Sequence, residues 1–240
     1  MSRVGQCNVL HFRGNLAEGE AAWRAVLDDA VREGFRTVQA QAEHGLGTSL
    51  DRRGKSHEGA THLWRAYELY EEESARLRTL TDLGLLLLAI GKVADAEQAL
   101  HEVVRRDTVA ENLANATVEL MHCASFRRDR VSFERWRERA LNHYADASPN
   151  IRADYHLKAG IGLARFESFA RAQQELRRAL DIAASHGLHE KVFRIESLIN
   201  GLQDRAILNE AEAAVPEPTN IAEALREVSA SLAVLGEERC

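Results

Sequence analysis

A chain of 240 residues that is 45% hydrophobic can bury a continuous core, and with Pro149, Pro216 and Pro218 as its only prolines it carries long stretches that nothing interrupts as helix. A formal net charge of -6 and a pI near 6.0 give no general attraction to phosphate backbones or anionic membranes, so nucleic acid is not indicated as a partner. Cys7, Cys123 and Cys240 are too scattered for a disulfide framework and fit a reducing cytoplasm, while the densest apolar run, Leu83 to Ile90, is about a third of a membrane span.

In chain order, apolar periodicity and turn residues predict paired helices at 3–12 and 16–33, 36–51 and 56–72, 74–90 and 93–106, 109–124 and 130–145, and 150–166 and 169–186. A sixth pair is expected at 188–201 and 204–214. Ser148-Pro149-Asn150 and Ser185-His186-Gly187 mark breaks before the fifth and sixth pairs. The segment 215–220, with its two prolines, reads as a linker. Beyond it Ile221, Leu225, Val228, Leu232 and Leu235 fall at helical spacing, giving an amphipathic helix over 221–240 that caps the open end of the array or docks elsewhere. The first helix begins almost at Met1 with no capping unit. That leaves open a preceding segment, a homodimer with a second copy, and a plain frayed start.

The pairs repeat. Gly19, Gly59, Ala96, Phe133 and Ala172 stand 40, 37, 37 and 39 residues apart and anchor one local pattern. Twelve residues before the anchors come Cys7, Gly47, Gly84, Met121 and Gly160; nine before come Leu10, Leu50, Leu87, Ala124 and Leu163. Seven after come Val26, Ala66, Val103, Ala140 and Ala179. Five before are Gly14, Gly54 and Gly91, where a left-handed residue would end the first helix, with Arg128 and Glu167 at the later positions. Small residues at these spacings let the two helices of a pair approach closely.

This pattern resembles the tetratricopeptide repeat, with Leu46-Gly47 and Leu83-Gly84 reproducing its Leu-Gly pair over roughly residues 1 to 186. The period exceeds the family's usual length. The proline that normally closes a unit is replaced by Val31, Glu71, Thr108, Ala145 and Ala184, which is closer to the longer-period repeat domains of bacterial regulators. The resemblance implies an all-α, right-handed superhelical solenoid of about six antiparallel helix pairs over 1–214, with the first helix of each pair lining a concave groove. Carried over residue by residue, that groove would present Asn8 and His11 from the first pair, and Gln41, His44, Thr48 and Asp51 from the second. The third pair would add Arg78, Thr81, Asp82, Leu85 and Leu88, the fourth Asn115, Glu119 and His122, the fifth Asp154, Lys158 and Ile161. Relatives that clamp a terminal carboxylate use a lysine and an asparagine on successive turns. Here Val4 precedes Asn8 and His44 precedes Thr48, so a groove for an apolar helix or extended peptide is expected instead.

Signals for chemistry are weak. His57 and His62 are five apart, which turns the second about 140° from the first on a helix, so no metal site is expected there. His122 and Cys123 diverge by about 100°, and Gly45 and Gly47 lie inside a helix rather than in a phosphate loop. His186 and His189 read as histidines at a helix end. The run from Phe126 to Arg139 gathers six arginines with Phe133 and Trp136, and is expected to be a solvated face paired along its own helix. The glutamates from Glu68 to Glu73 oppose the dipole at a helix end. The expectation is therefore a cytoplasmic, non-enzymatic protein- or peptide-binding scaffold with no cofactor. A ligand-responsive sensor is the alternative, and an enzyme built around His44, His122 and Glu119 the remote one.

Overall fold

The computed structural model describes residues 2–203 and 219–237, and among them it contains helices and no strand. They are α1 (Arg3–Phe12), α2 (Leu16–Glu33), α3 (Arg36–Arg52), α4 (Ser56–Leu69), α5 (Glu73–Ala89), α6 (Val93–Arg106), α7 (Ala110–Phe126), α8 (Arg130–Ala140), α9 (Pro149–Arg165), α10 (Phe169–Ser185), α11 (His189–Gln203) and α12 (Thr219–Glu237), with a 3-10 turn at Leu141–His143. The second helix expected at 204–214 and most of the expected linker lie outside the described residues. Over the rest the architecture is all-α and built from antiparallel helix pairs.

The described residues group into two compact units, one of residues 2–106 with 219–237 and the other of 107–203. In the first, α1/α2, α3/α4 and α5/α6 are successive pairs, each helix packing on the next. In the second, α7 packs on α8 and α9, α9 on α10, and α10 on α11. α12 lies on α4 and α6 with Leu225, Val228 and Leu232 buried, and the Ser229 hydroxyl donates to Asp95 at 2.5 Å.

The repeat pattern has a direct physical meaning at the glycines. A Cβ on Gly47 would lie 2.8 Å from Leu63 Cγ, one on Gly84 2.9 Å from Leu100 Cγ, and one on Gly160 2.7 Å from Leu176 Cγ. Those leucines all stand four residues after the anchor of the same pair, so glycine in the first helix and leucine in the second form one recurring contact. Buried leucines of this kind each contribute about 1.5–3 kcal/mol of apolar burial.

The residue five before each anchor is left-handed in every unit: Gly14, Gly54 and Gly91 at φ 77°, 72° and 79°, but also Arg128 at 57° and Glu167 at 59°. A non-glycine residue there costs about 1–2 kcal/mol. Glu167 is exposed, so Glu167→Gly is expected to raise stability by about 0.5–1 kcal/mol after allowing for glycine's greater unfolded-state freedom. Arg128→Gly should gain less, because Arg128 also donates to the Arg165 carbonyl. Urea midpoints of the two variants check the order.

Two helices end earlier than expected. α4 stops at Leu69, where Tyr70 turns extended at ψ 133° and Arg36 donates to the Leu69 and Glu68 carbonyls at 3.1 and 3.2 Å. The cation supplies at this end what the following glutamates cannot. α8 stops at Ala140 rather than near 145. After the 3-10 turn the Tyr144 hydroxyl meets His156 Nε2 at 2.8 Å, and Ser148 then caps α9 with Pro149 at its first position.

Candidate functional site

In the first unit α1, α3 and α5 share a face, and with the connection after α4 they enclose a hollow of about 580 Å³. Asn8, His11, Gln41, His44, Thr48 and Arg78 line it, six residues that the repeat resemblance places on one groove. Asp82 stands behind them and receives His44 Nε2–H at 2.8 Å, while His44 Nδ1 lies 3.2 Å from the Thr79 hydroxyl and 3.5 Å from that of Tyr70. His44 is thus held on both nitrogens as part of the wall. Burial pushes the His11 imidazole below its ordinary pKa, reinforced by the charge of Arg52. Burial also raises the Tyr70 phenol, which remains a neutral donor at the rim.

The remaining groove candidates fall elsewhere. Thr81, Leu88 and Ile161 are buried, Thr81 with its hydroxyl bonded back to the Leu77 carbonyl, so all three serve packing rather than a binding surface. Leu85 is half-buried on α5, and Asp51 accepts from Ser56 at 2.8 Å at the α3–α4 turn. Asn115, Glu119, His122, Asp154 and Lys158 belong to the second unit. There Lys158 pairs with Glu119, and Lys191 with Asp154 at 2.5 Å.

Several lining residues were not singled out by the repeat spacing. Trp23 reaches the hollow from α2 because Gly45 faces it; a Cβ on Gly45 would sit 2.2 Å from the indole. Leu69, Tyr70, Glu71 and Glu72 enter because α4 ends early and the chain turns over the mouth. The glycine two before Gly47 was the available signal for Trp23. Nothing in the local sequence marks the turn at Tyr70.

The weaker chemical candidates resolve into pairing. His62 Nδ1 and Glu43 lie 2.6 Å apart, both buried, and in the second unit His156 Nδ1 and Glu175 also lie 2.6 Å apart. These are the same two repeat positions, sixteen before and three after the anchors Gly59 and Ala172, with acid and base exchanged. Leu80 and Ala99 occupy them in the third pair. Burial would raise Glu175, but hydrogen bonding and charge from His156, with Arg178 and Arg137, outweigh it and hold the carboxyl low. Among the described residues no group of three or more His, Cys, Asp or Glu could hold a metal ion. His186 Nδ1 donates to the Ile182 carbonyl at 2.9 Å, an ordinary helix-end contact. In the arginine-rich run Arg137 pairs with Glu134 at 2.8 Å and Arg139 lies over Trp136, while Phe133 and Trp136 themselves are buried. No helix among the described residues is long and apolar enough to cross a membrane.

Helix–turn–helix pairs recurring every 37 to 40 residues, with the same left-handed turn in all five and the same glycine–leucine contact in three, form a tetratricopeptide-like helical-repeat fold. No protein-family model matches the chain, and no curated protein matches it. Among solved structures it is similar to that of YrrB, described as a TPR protein with an unusual peptide-binding site, at a TM-score of 0.46 and 22% identity over 79% of this chain and 90% of that one.

Proposed function

We propose that the chain is a non-enzymatic partner-binding scaffold whose first unit seats an extended peptide segment in the hollow on the α1/α3/α5 face. The observation that supports this reading is the composition of that wall. Side-chain amides and hydroxyls of Asn8, Gln41 and Thr37 line a hollow of about 580 Å³ together with the apolar side chains of Val4 and Leu69 and an edge of the buried Trp23. A hollow of this size, with polar groups that can fix a ligand's orientation beside smaller apolar patches, suits a polar extended segment. Peptide backbone can pair with the amides while alternate side chains fill the apolar subsites. The long repeat period favours placing such a scaffold among bacterial regulatory proteins, working in the cytoplasm.

Selection from a displayed random-peptide library tests the reading. Peptides enriched by the wild type should change the fluorescence of Trp23 and should bind Gln41→Arg, whose long side chain enters the hollow, at least about tenfold more weakly, a loss of about 1.4 kcal/mol. Gln41 is exposed, so the substitution leaves the fold intact. Failure to enrich any sequence, or equal binding by the variant, would remove the hollow from consideration.

A further inference from the structure

The wall of the hollow holds a hydrogen-bond donor that nothing in the described chain accepts from. Trp23 on α2 is 2% exposed, and its indole Nε1 is buried with no hydrogen-bond partner. A buried indole N–H ordinarily finds an acceptor, and one left without forfeits the hydrogen bond that it makes to water in the unfolded chain. Packing explains where the ring lies but not this omission. A Cβ on Gly45 would sit 2.2 Å from Trp23 Cε2, the ring carbon bonded to Nε1. Gly45 and Trp23 both border the hollow, so the edge of the indole that carries the nitrogen lies at its wall.

The groups beside this donor are already committed. The Thr48 hydroxyl donates back to the Gly45 and His44 carbonyls at 3.1 and 3.3 Å. The His44 ring is held on both nitrogens, by Asp82 at 2.8 Å and by the Thr79 hydroxyl at 3.2 Å. What the wall offers at Trp23 is therefore one neutral N–H beside acceptors that are already used. An ammonium or amide N–H placed there would set donor against donor, and a carboxylate would be buried against a group with no charge to answer it. A neutral carbonyl oxygen suits both sides. It accepts the hydrogen bond, needs no counter-ion, and projects from its chain far enough to reach a nearly enclosed ring.

We propose that Trp23 is a specificity-determining residue of the hollow, its indole N–H donating to a main-chain carbonyl of the bound segment. This rests on the reading of the hollow as a peptide seat and adds the point at which the segment's backbone is fixed. Asn8 and Gln41 carry amides that both donate and accept, so they take either group of a peptide bond, whereas Trp23 takes only its oxygen. A slip by one residue turns that oxygen away, because an extended chain alternates direction from one residue to the next. The indole thereby sets the register of the segment as well as its affinity.

The indole proton of the full chain is the readout. With three tryptophans present, its signal is assigned by elimination from Trp64→Phe and Trp136→Phe. N-methylacetamide, which carries a single peptide carbonyl, is expected to move the Trp23 indole proton downfield saturably and to leave the other two in place. Acetate at equal ionic strength, and methylammonium, should not. A peptide enriched from the displayed library should move the same proton. Replacing its carbonyls by thiocarbonyls one bond at a time should weaken binding about tenfold at one bond and little elsewhere, a scan made on the wild-type protein and so independent of how a Trp23 variant folds. Response to N-methylacetamide with no peptide enriched would remove the peptide reading and keep the carbonyl site. An indole proton that neither N-methylacetamide nor an enriched peptide moves, one that acetate moves as strongly, or a scan with no sensitive bond would overturn the proposal.

Discussion

Truncating Phe133 to alanine is expected to cost about 3–5 kcal/mol, the range for emptying a fully enclosed aromatic position. Phe133 is 0% exposed and its ring meets that of Phe166 at 5.2 Å and 58°. It stands where the other four pairs have glycine or alanine. The space for it comes from Gly162 on α9: a Cβ there would lie 2.2 Å from Phe133 Cε2. Gly162→Ala alone should therefore be destabilising as well, by about 1–3 kcal/mol, because an enclosed ring cannot withdraw. The two substitutions compete for one volume. Combined, they should cost less than the sum of the separate losses by at least about 0.5 kcal/mol, since the new methyl occupies part of the cavity left by the ring. Urea unfolding of the four proteins at constant slope measures the cycle. Strict additivity would show that ring and glycine are not packed as partners.

That pair also shows why some of the architecture is readable from the chain and some is not. The paired helices over 3–186 and the small residues at their crossings follow from spacing, because 3.6-residue periodicity and a required small residue leave traces at fixed offsets; the leucines that fill those crossings were found only in the structure. The left-handed turn was read at Gly14, Gly54 and Gly91; that Arg128 and Glu167 adopt it too, where residue type gives no sign of it, is a finding of the structure. What register cannot carry is compensation between pairs. Phe133 breaks the small-residue rule, and Gly162 that accommodates it lies 29 residues later at no recurring offset. The same limit applies to the hollow. Asn8, His11, Gln41, His44, Thr48 and Arg78 share a face by repeat arithmetic, but Tyr70 and Glu72 reach it only because α4 ends at Leu69, and Trp23 only because Gly45 leaves room. Burial is also hard to read from one strand of evidence. Thr81, Leu88 and Ile161 sit at groove offsets, yet neighbouring helices cover them.

Replacing Lys158 by methionine tests the most exposed consequence of burying charge in this fold. The Lys158 side chain is 12% exposed and that of Glu119 2%, and the two are paired. Burial raises the Glu119 carboxyl and Lys158 pulls it back, with Asp154 adding to the rise. Burial alone would lower Lys158, but the charges of Glu119 and Asp154 outweigh it and raise the ammonium. Both directions are compatible with an ionised pair at neutral pH. Methionine keeps most of the volume and removes the charge, so Glu119 is left buried without its counter-ion, at a cost of about 3–5 kcal/mol. The sign of the pH dependence follows from the raised acid. A carboxyl whose folded pKa lies above its unfolded value binds a proton more readily in the folded state, so stability is greatest below that window and falls as pH rises through it. Without Lys158 the folded pKa climbs further, so the penalty should be largest at neutral pH and should shrink on mild acidification. Unfolding curves at the two conditions check it; a small, pH-independent loss would mean that water screens the pair. Adding Glu119→Leu to the variant should restore stability to within about 1 kcal/mol of the wild type or exceed it, since an apolar pair needs no desolvation of charge.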